Sequence, residues 1–139
     1  MKVDKIDHIH VYVKDLDQAI LRFSDILGVE FTDIFSDADW GIRSAYASLG
    51  IDVVQPTSNE SGVAKTIEHK GEGLAGISFR VSNIEDSIAE LQSKGLRLMD
   101  VVQVGGLKEA LFHPRDFFGV FIELCEYPGD DIHKASMVS

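Results

Sequence analysis

The chain contains the same pattern twice. Ile6-Asp7-His8-Ile9-His10-Val11-Tyr12-Val13 aligns with Leu74-Ala75-Gly76-Ile77-Ser78-Phe79-Arg80-Val81 at an offset of 68, and apolar residues coincide at 9/77, 11/79 and 13/81. A repeat of this length means two copies of one supersecondary unit, which excludes most other small folds at once. The alternation of apolar and polar residues predicts a half-buried strand in each copy. Each strand runs into a helix start, Asp15-Leu16-Asp17-Gln18 and Asn83-Ile84-Glu85-Asp86, with Asp or Asn placed to cap it. The first helix carries Leu16, Ala19, Ile20, Phe23, Ile26 and Leu27 as its core stripe and ends at Gly28. The second carries Ile84, Ile88 and Leu91 and ends at Gly95. Three strand-like stretches follow each helix, over 29–35, 42–49 and 50–56, then 96–102, 108–113 and 119–126. The unit is βαβββ, twice, and the fold class is α+β.

We expect one domain spanning 1–139, with module one over about 4–57, a linker over 58–73, module two over about 74–127 and a tail over 128–139. The linker is polar with a short helical piece around Val63–Lys70, and the tail is expected to be loose or to pack on a partner subunit. Acids outnumber Lys plus Arg by 23 to 13, a net charge of −10, which argues against a nucleic-acid partner. No apolar run could span a bilayer, and the first five residues offer no secretory signal, so no membrane partner is expected. One cysteine, Cys125, cannot form an intrachain disulfide and suits a reducing, cytoplasmic setting.

Strand parity turns the repeat into a statement about function, because alternate residues face opposite sides. Ile9, Val11 and Val13 go under the first helix, so His8, His10 and Tyr12 face away. Ile77, Phe79 and Val81 go under the second, leaving Gly76, Ser78 and Arg80 opposite. In the last strands, Ile51-Asp52-Val53 matches Ile122-Glu123-Leu124 at an offset of 71, and Asp52 and Glu123 join the polar face. A curved mixed sheet with that face inward makes a cleft with converging polar groups, the usual form of a site. Four related positions emerge: His8, Gly76, Asp52 and Glu123. Three of them could bind a divalent ion such as Co, Zn, Mn, Ni or Fe, whereas glycine has no side chain to offer. Glu123 stands out, because a carboxylate inside an apolar strand is costly to bury unpaired.

These residues resemble the vicinal oxygen chelate superfamily of glyoxalases, ring-cleaving dioxygenases, bleomycin-resistance proteins and methylmalonyl-CoA epimerases, over about residues 4–127. The epimerase branch is the most similar. Asp7-His8-Ile9 with Val13-Lys14-Asp15-Leu16 resembles its opening, Glu60–Lys65 with Gly71–Leu74 its linker, and Phe112-His113-Pro114-Arg115-Asp116 with Gly119–Leu124 its close. The resemblance implies a cleft formed by two βαβββ modules, a homodimer, a small-molecule substrate such as an acyl-CoA, and a divalent metal. Its ligands fall on His8, Asp52, Glu123 and a second histidine whose position here is Gly76. The implied acid–base pair is Glu123 and Asp39; the ligand Asp52 and the catalytic Asp39 are each shorter than the side chain the branch uses there.

The resulting expectation is a metal-dependent epimerase or isomerase acting at a carbon next to a carbonyl. Such a reaction needs a base, an acid on the opposite face and an electrophile for the enolate. A metal-free small-molecule binding protein of the bleomycin-resistance kind is the alternative that Gly76 favours; a glyoxalase-type lyase or dioxygenase is a third, with His10 standing in for the missing ligand. Otherwise His10, Tyr12, Gly76, Ser78 and Arg80 are expected to line the pocket. His113 is read as a turn residue and Cys125 as packing, while Trp40, Phe117 and Phe118 shape the pocket or fill the core. Lys65, Lys108 and Arg115 read as surface charges before phosphate contacts.

Overall fold

The structure, a computed structural model, describes residues 1–138 as two compact units, Ile9–Leu74 and Met1–His8 with Ala75 onward. Both βαβββ repeats are present, so the fold class is α+β. Strand β1, Val3–Tyr12, contributes its first half to one unit and its second half to the other.

In the unit Ile9–Leu74, β1 is followed by helix α1 (Leu16–Leu27), β2 (Phe35–Asp37), β3 (Ile42–Ala47), β4 (Ile51–Pro56) and α2 (Gly62–Lys70). β1 runs parallel to β4, with His10 opposite Asp52, and β3 and β2 add antiparallel strands. Asp15 caps α1 by accepting from the Gln18 N–H, and Gly28, at φ 65°, closes it by returning its N–H to the Ser24 carbonyl. Leu16, Ala45 and Val53 form the buried centre beneath α1, with Ala19, Ile20 and Phe23 around them. On the opposite side of β4, α2 lays Val63 and Ile67 against Val54. Successive residues Val53 and Val54 therefore serve two different helices, as period two requires.

In the other unit, β5 (Gly73–Val81) leads into α3 (Ile84–Ser93), β6 (Leu98–Val104), β7 (Leu107–Phe112), a 3-10 turn (Pro114–Asp116), β8 (Phe121–Glu126) and α4 (Ile132–Ser136). β5 is parallel to β8, and β7 and β6 extend the array antiparallel. Asn83 caps α3 at the Asp86 N–H. Val81, Ile84, Leu91, Ala110, Phe112, Ile122 and Leu124 close the core under that helix.

Three sequence expectations change. The stripe of α1 stops at Phe23: Ile26 and Leu27 are 59% and 61% exposed, because the last helical turn finds nothing in its unit to cover it. Residues 29–34 are irregular rather than a strand, held by the Thr32 N–H on the Tyr46 carbonyl, and only Phe35–Asp37 pairs with β3. The tail is a helix docked on its own unit, with Ile132 and Ala135 buried. Gly105 and Gly106 explain the docking: the Gly106 N–H bonds the Ala135 carbonyl, and a Cβ on Gly105 would lie 2.2 Å from the Val138 carbonyl oxygen.

The segment entering β8 is tied down by a forked ion pair. Arg97 Nε and Nη2 donate to the two Asp116 oxygens at 2.9 and 3.1 Å, and its backbone N–H adds a third bond. These bonds hold the Asp116 carboxyl below the usual carboxylate value. A carboxyl depressed on folding contributes stability above its unfolded pKa and loses it as pH falls through the folded one. Asp116→Asn should therefore melt below wild type at pH 7, and thermal scans should show the gap closing as pH falls below the ordinary carboxylate range.

Candidate functional site

The polar face of the unit containing β5 to β8 is built in register. Gly76 lies opposite Phe121, Ser78 opposite Glu123 and Arg80 opposite Cys125, while Leu111 and Glu109 on β7 flank Glu123 and Cys125. Onto this face the first half of β1 brings Asp7 and His8. His8 Nε2 is 3.2 Å from Glu123 Oε1, and its Nδ1 is 2.7 Å from Asp7 Oδ1. The side chains of Asp7, His8 and Glu123 are only 2%, 3% and 5% exposed, so this is a line of ionisable groups removed from water.

The Tyr127 hydroxyl donates to the other Asp7 oxygen. Burial alone would raise the Asp7 carboxyl, but the hydrogen bonds from His8 and Tyr127 outweigh it and hold the group below its usual value. Burial, followed by the bond to Asp7, pushes the Tyr127 hydroxyl up, so it stays a neutral donor. An ionised Asp7 can only accept, which places the imidazole proton on Nδ1 and turns Nε2 toward Glu123. This is the arrangement in which a carboxylate fixes the tautomer of a metal-binding histidine.

The other unit holds the second polar pair. His10 Nδ1 lies 3.2 Å from Asp52 Oδ2, across the β1–β4 register, with side chains 7% and 22% exposed. Asp39 stands in the exposed turn between β2 and β3, where its N–H bonds the Asp37 carboxylate. Tyr12, expected in the pocket, instead packs against Val54, Val63 and Ile67, because α2 covers that end of the strand.

Several side chains do something other than line a pocket. Arg80 donates to the Tyr127 and Gly129 carbonyls at 2.8 and 2.6 Å and stacks 3.8 Å over the Tyr127 ring; it anchors the start of the tail. Ser78 is fully buried and its hydroxyl makes no hydrogen bond of good geometry. Burial above all, with Asp7, Glu123 and Glu109 adding repulsion, pushes the Cys125 thiol up, so it is inert packing. His113 caps the 3-10 turn at the Arg115 N–H. Lys108 pairs with Glu85 and Glu126. Phe118 is 90% exposed at φ 55° and stacks edge-on with Phe117, so neither ring is core.

Gly76 is a filled position. A Cβ there would sit 2.4–2.5 Å from three ring carbons of Phe121, whose side chain occupies the space above the glycine. Glu109, which the sequence reading overlooked, joins His8 and Glu123 instead: one donor atom from each lies within 4.8 Å of the others. The signal was present in the predicted strand 108–113. Ala110 and Phe112 belong under the helix, so parity sends Glu109 to the face of Glu123. The donor chemistry, one imidazole nitrogen and two carboxylates, fits a divalent transition ion. It does not fit a ligand from the Gly76 position.

A doubled βαβββ fold with a buried histidine–carboxylate pair on its polar face defines a class. The profile of the Glyoxalase/Bleomycin resistance protein/Dioxygenase superfamily matches residues 7–112, and the chain belongs to that superfamily. Within it, the chain is 26% identical over 130 residues to the mitochondrial methylmalonyl-CoA epimerase of Mus musculus, covering 88% of this chain and 73% of that one. The crystal structure of methylmalonyl-CoA epimerase from Mycobacterium tuberculosis superposes with a TM-score of 0.81 at 30% identity, covering 91% and 90% of the two chains. A variant of the Streptomyces coelicolor methylmalonyl-CoA epimerase, in complex with 2-nitronate-propionyl-CoA, gives 0.81 at 27% identity, covering 92% and 100%. No helix among the described residues is long and apolar enough to cross a membrane.

Overpacking a filled site costs about 1–3 kcal/mol. Gly76→Ala should therefore lower stability by about that much in chemical denaturation, and pairing it with Phe121→Leu should recover part of the loss.

Proposed function

We propose that the chain is a metal-dependent isomerase that removes and returns a proton at a carbon next to a carbonyl, with an acyl-CoA thioester as substrate. The observation that carries this reading is the buried Asp7–His8–Glu123 line, because it keeps a carboxylate desolvated with a tautomer-fixed imidazole facing it. Likeness to methylmalonyl-CoA epimerases over most of the chain supports the same substrate class.

A divalent ion held by His8 and Glu123 would supply the electrophile that stabilises an enolate oxygen. Glu123 is the base, buried on the polar face beside His8. Asp7 keeps the His8 ring from rotating or changing tautomer while charge develops nearby. Returning the proton on the other face takes a second acid, and Asp39 is the residue that the resemblance supplies for it.

Metal-free ligand binding is the second reading, favoured by the Phe121 ring that occupies the Gly76 position. The two separate on turnover. Incubated with methylmalonyl-CoA in D2O, the wild type should exchange the C2 proton faster than buffer, as followed by proton NMR. Glu123→Gln should slow exchange by about a hundredfold or more while still binding the thioester. Binding of the thioester without exchange by the wild type would decide for the second reading.

A further inference from the structure

The resemblance implies a histidine metal ligand on β5. Here that position is Gly76, and the Phe121 ring closes the space a side chain would need. Filling the gap with an aromatic ring argues that the missing ligand is not simply left vacant for water or substrate. The same face offers a replacement two strands away. Glu109 on β7 projects to the side of Glu123 and contributes a carboxylate oxygen within 4.8 Å of donors on both His8 and Glu123.

We infer that Glu109 takes over the ligand role lost at Gly76, so that this chain holds a divalent transition ion with His8 Nε2 and carboxylate oxygens of Glu109 and Glu123. The inference rests on the metal-dependent reading above and names its ligand set. Three independent features support it. The first is orientation: Asp7 accepts from Nδ1, so the lone pair of Nε2 is the one presented to the two glutamates. The second is charge. Two carboxylates and one imidazole nitrogen converge within 4.8 Å, a donor set whose combined charge matches that of one divalent cation. One doubly charged cation balances two carboxylates and a neutral imidazole. The third is ligand type. Imidazole with carboxylates suits Zn, Mn, Co, Fe or Ni, whereas Mg and Ca prefer oxygen alone.

Ligands in such sites lie about 2.0–2.2 Å from the ion, so the three donors need only close inward by a small side-chain adjustment. An ion held by three protein ligands would keep coordination positions open for substrate oxygens. Glu109 is half-buried, while His8 and Glu123 are buried, which puts the open side of the site at Glu109.

Cobalt(II) titration of chelator-stripped protein tests the assignment, read by calorimetry and by visible absorption of the bound ion. Wild type should bind about one ion per chain, and Glu109→Gln should bind at least about tenfold more weakly. Melting in chelator separates a ligand from a structural residue. As a ligand, Glu109 contributes through the ion, so Glu109→Gln should melt close to wild type without metal and lose the rise that cobalt gives wild type. Equal cobalt affinity in the two proteins would overturn the Glu109 assignment and leave the metal-dependent isomerase standing. Failure of wild type to bind cobalt would overturn both.

Discussion

His8 is buried between two carboxylates, and most of what distinguishes this chain follows from that constraint. An imidazole 3% exposed, held by Asp7 at one nitrogen and facing Glu123 with the other, has little room to turn. Breaking such a line by deleting one member typically costs about 3–5 kcal/mol, because the survivors are left charged and dry. The surrounding structure is arranged accordingly. Tyr127 supplies the second bond to Asp7, and Arg80 holds Tyr127 by stacking on its ring and binding its carbonyl. Helix α4 then packs the tail that follows onto the β6–β7 turn. A segment distant in sequence from His8 thus helps to decide which ring nitrogen carries the proton.

The two copies of the repeat have diverged at corresponding places. In one, the strand partners of the register are His10 and Asp52; in the other they are Ser78 and Glu123. His8 corresponds to Gly76, and the space beyond the glycine has gone to Phe121. A glycine at this buried place on β5 brings no polar side chain to be satisfied, and the Phe121 ring fills the space with apolar area. Divergence at this pair changes the available chemistry while leaving both hydrophobic cores, under α1 and α3, built from the same strand positions.

Parity carried much of this from the sequence. It put His8, His10, Asp52 and Glu123 on the polar faces, and it put Val53 and Leu124 under their helices, because a one-residue error would expose an entire core. What parity could not reach were contacts that depend on cross-strand register or on loops. Phe121 over Gly76 requires knowing that β5 and β8 align those two residues. Asp7 should face away from its neighbour by strict alternation, yet its carboxylate bends back to His8. Tyr127 lies just beyond β8, where no periodicity operates, and Arg80 was drawn toward it and away from a pocket. Ile26 and Leu27 failed for a related reason: helical spacing identifies a stripe but not where the surface beneath it ends.

The central claim is that Asp7 fixes His8 so that Nε2 is the nitrogen that meets an ion shared with Glu123. Nitrogen-15 NMR of histidine-labelled protein tests it directly, because the two ring nitrogens of each tautomer resonate differently. The account predicts that, on adding zinc, His8 Nδ1 keeps its proton while the Nε2 resonance shifts as its lone pair binds. A His8 ring that carries its proton on Nε2 in the loaded protein, or that does not respond to zinc at all, would contradict it.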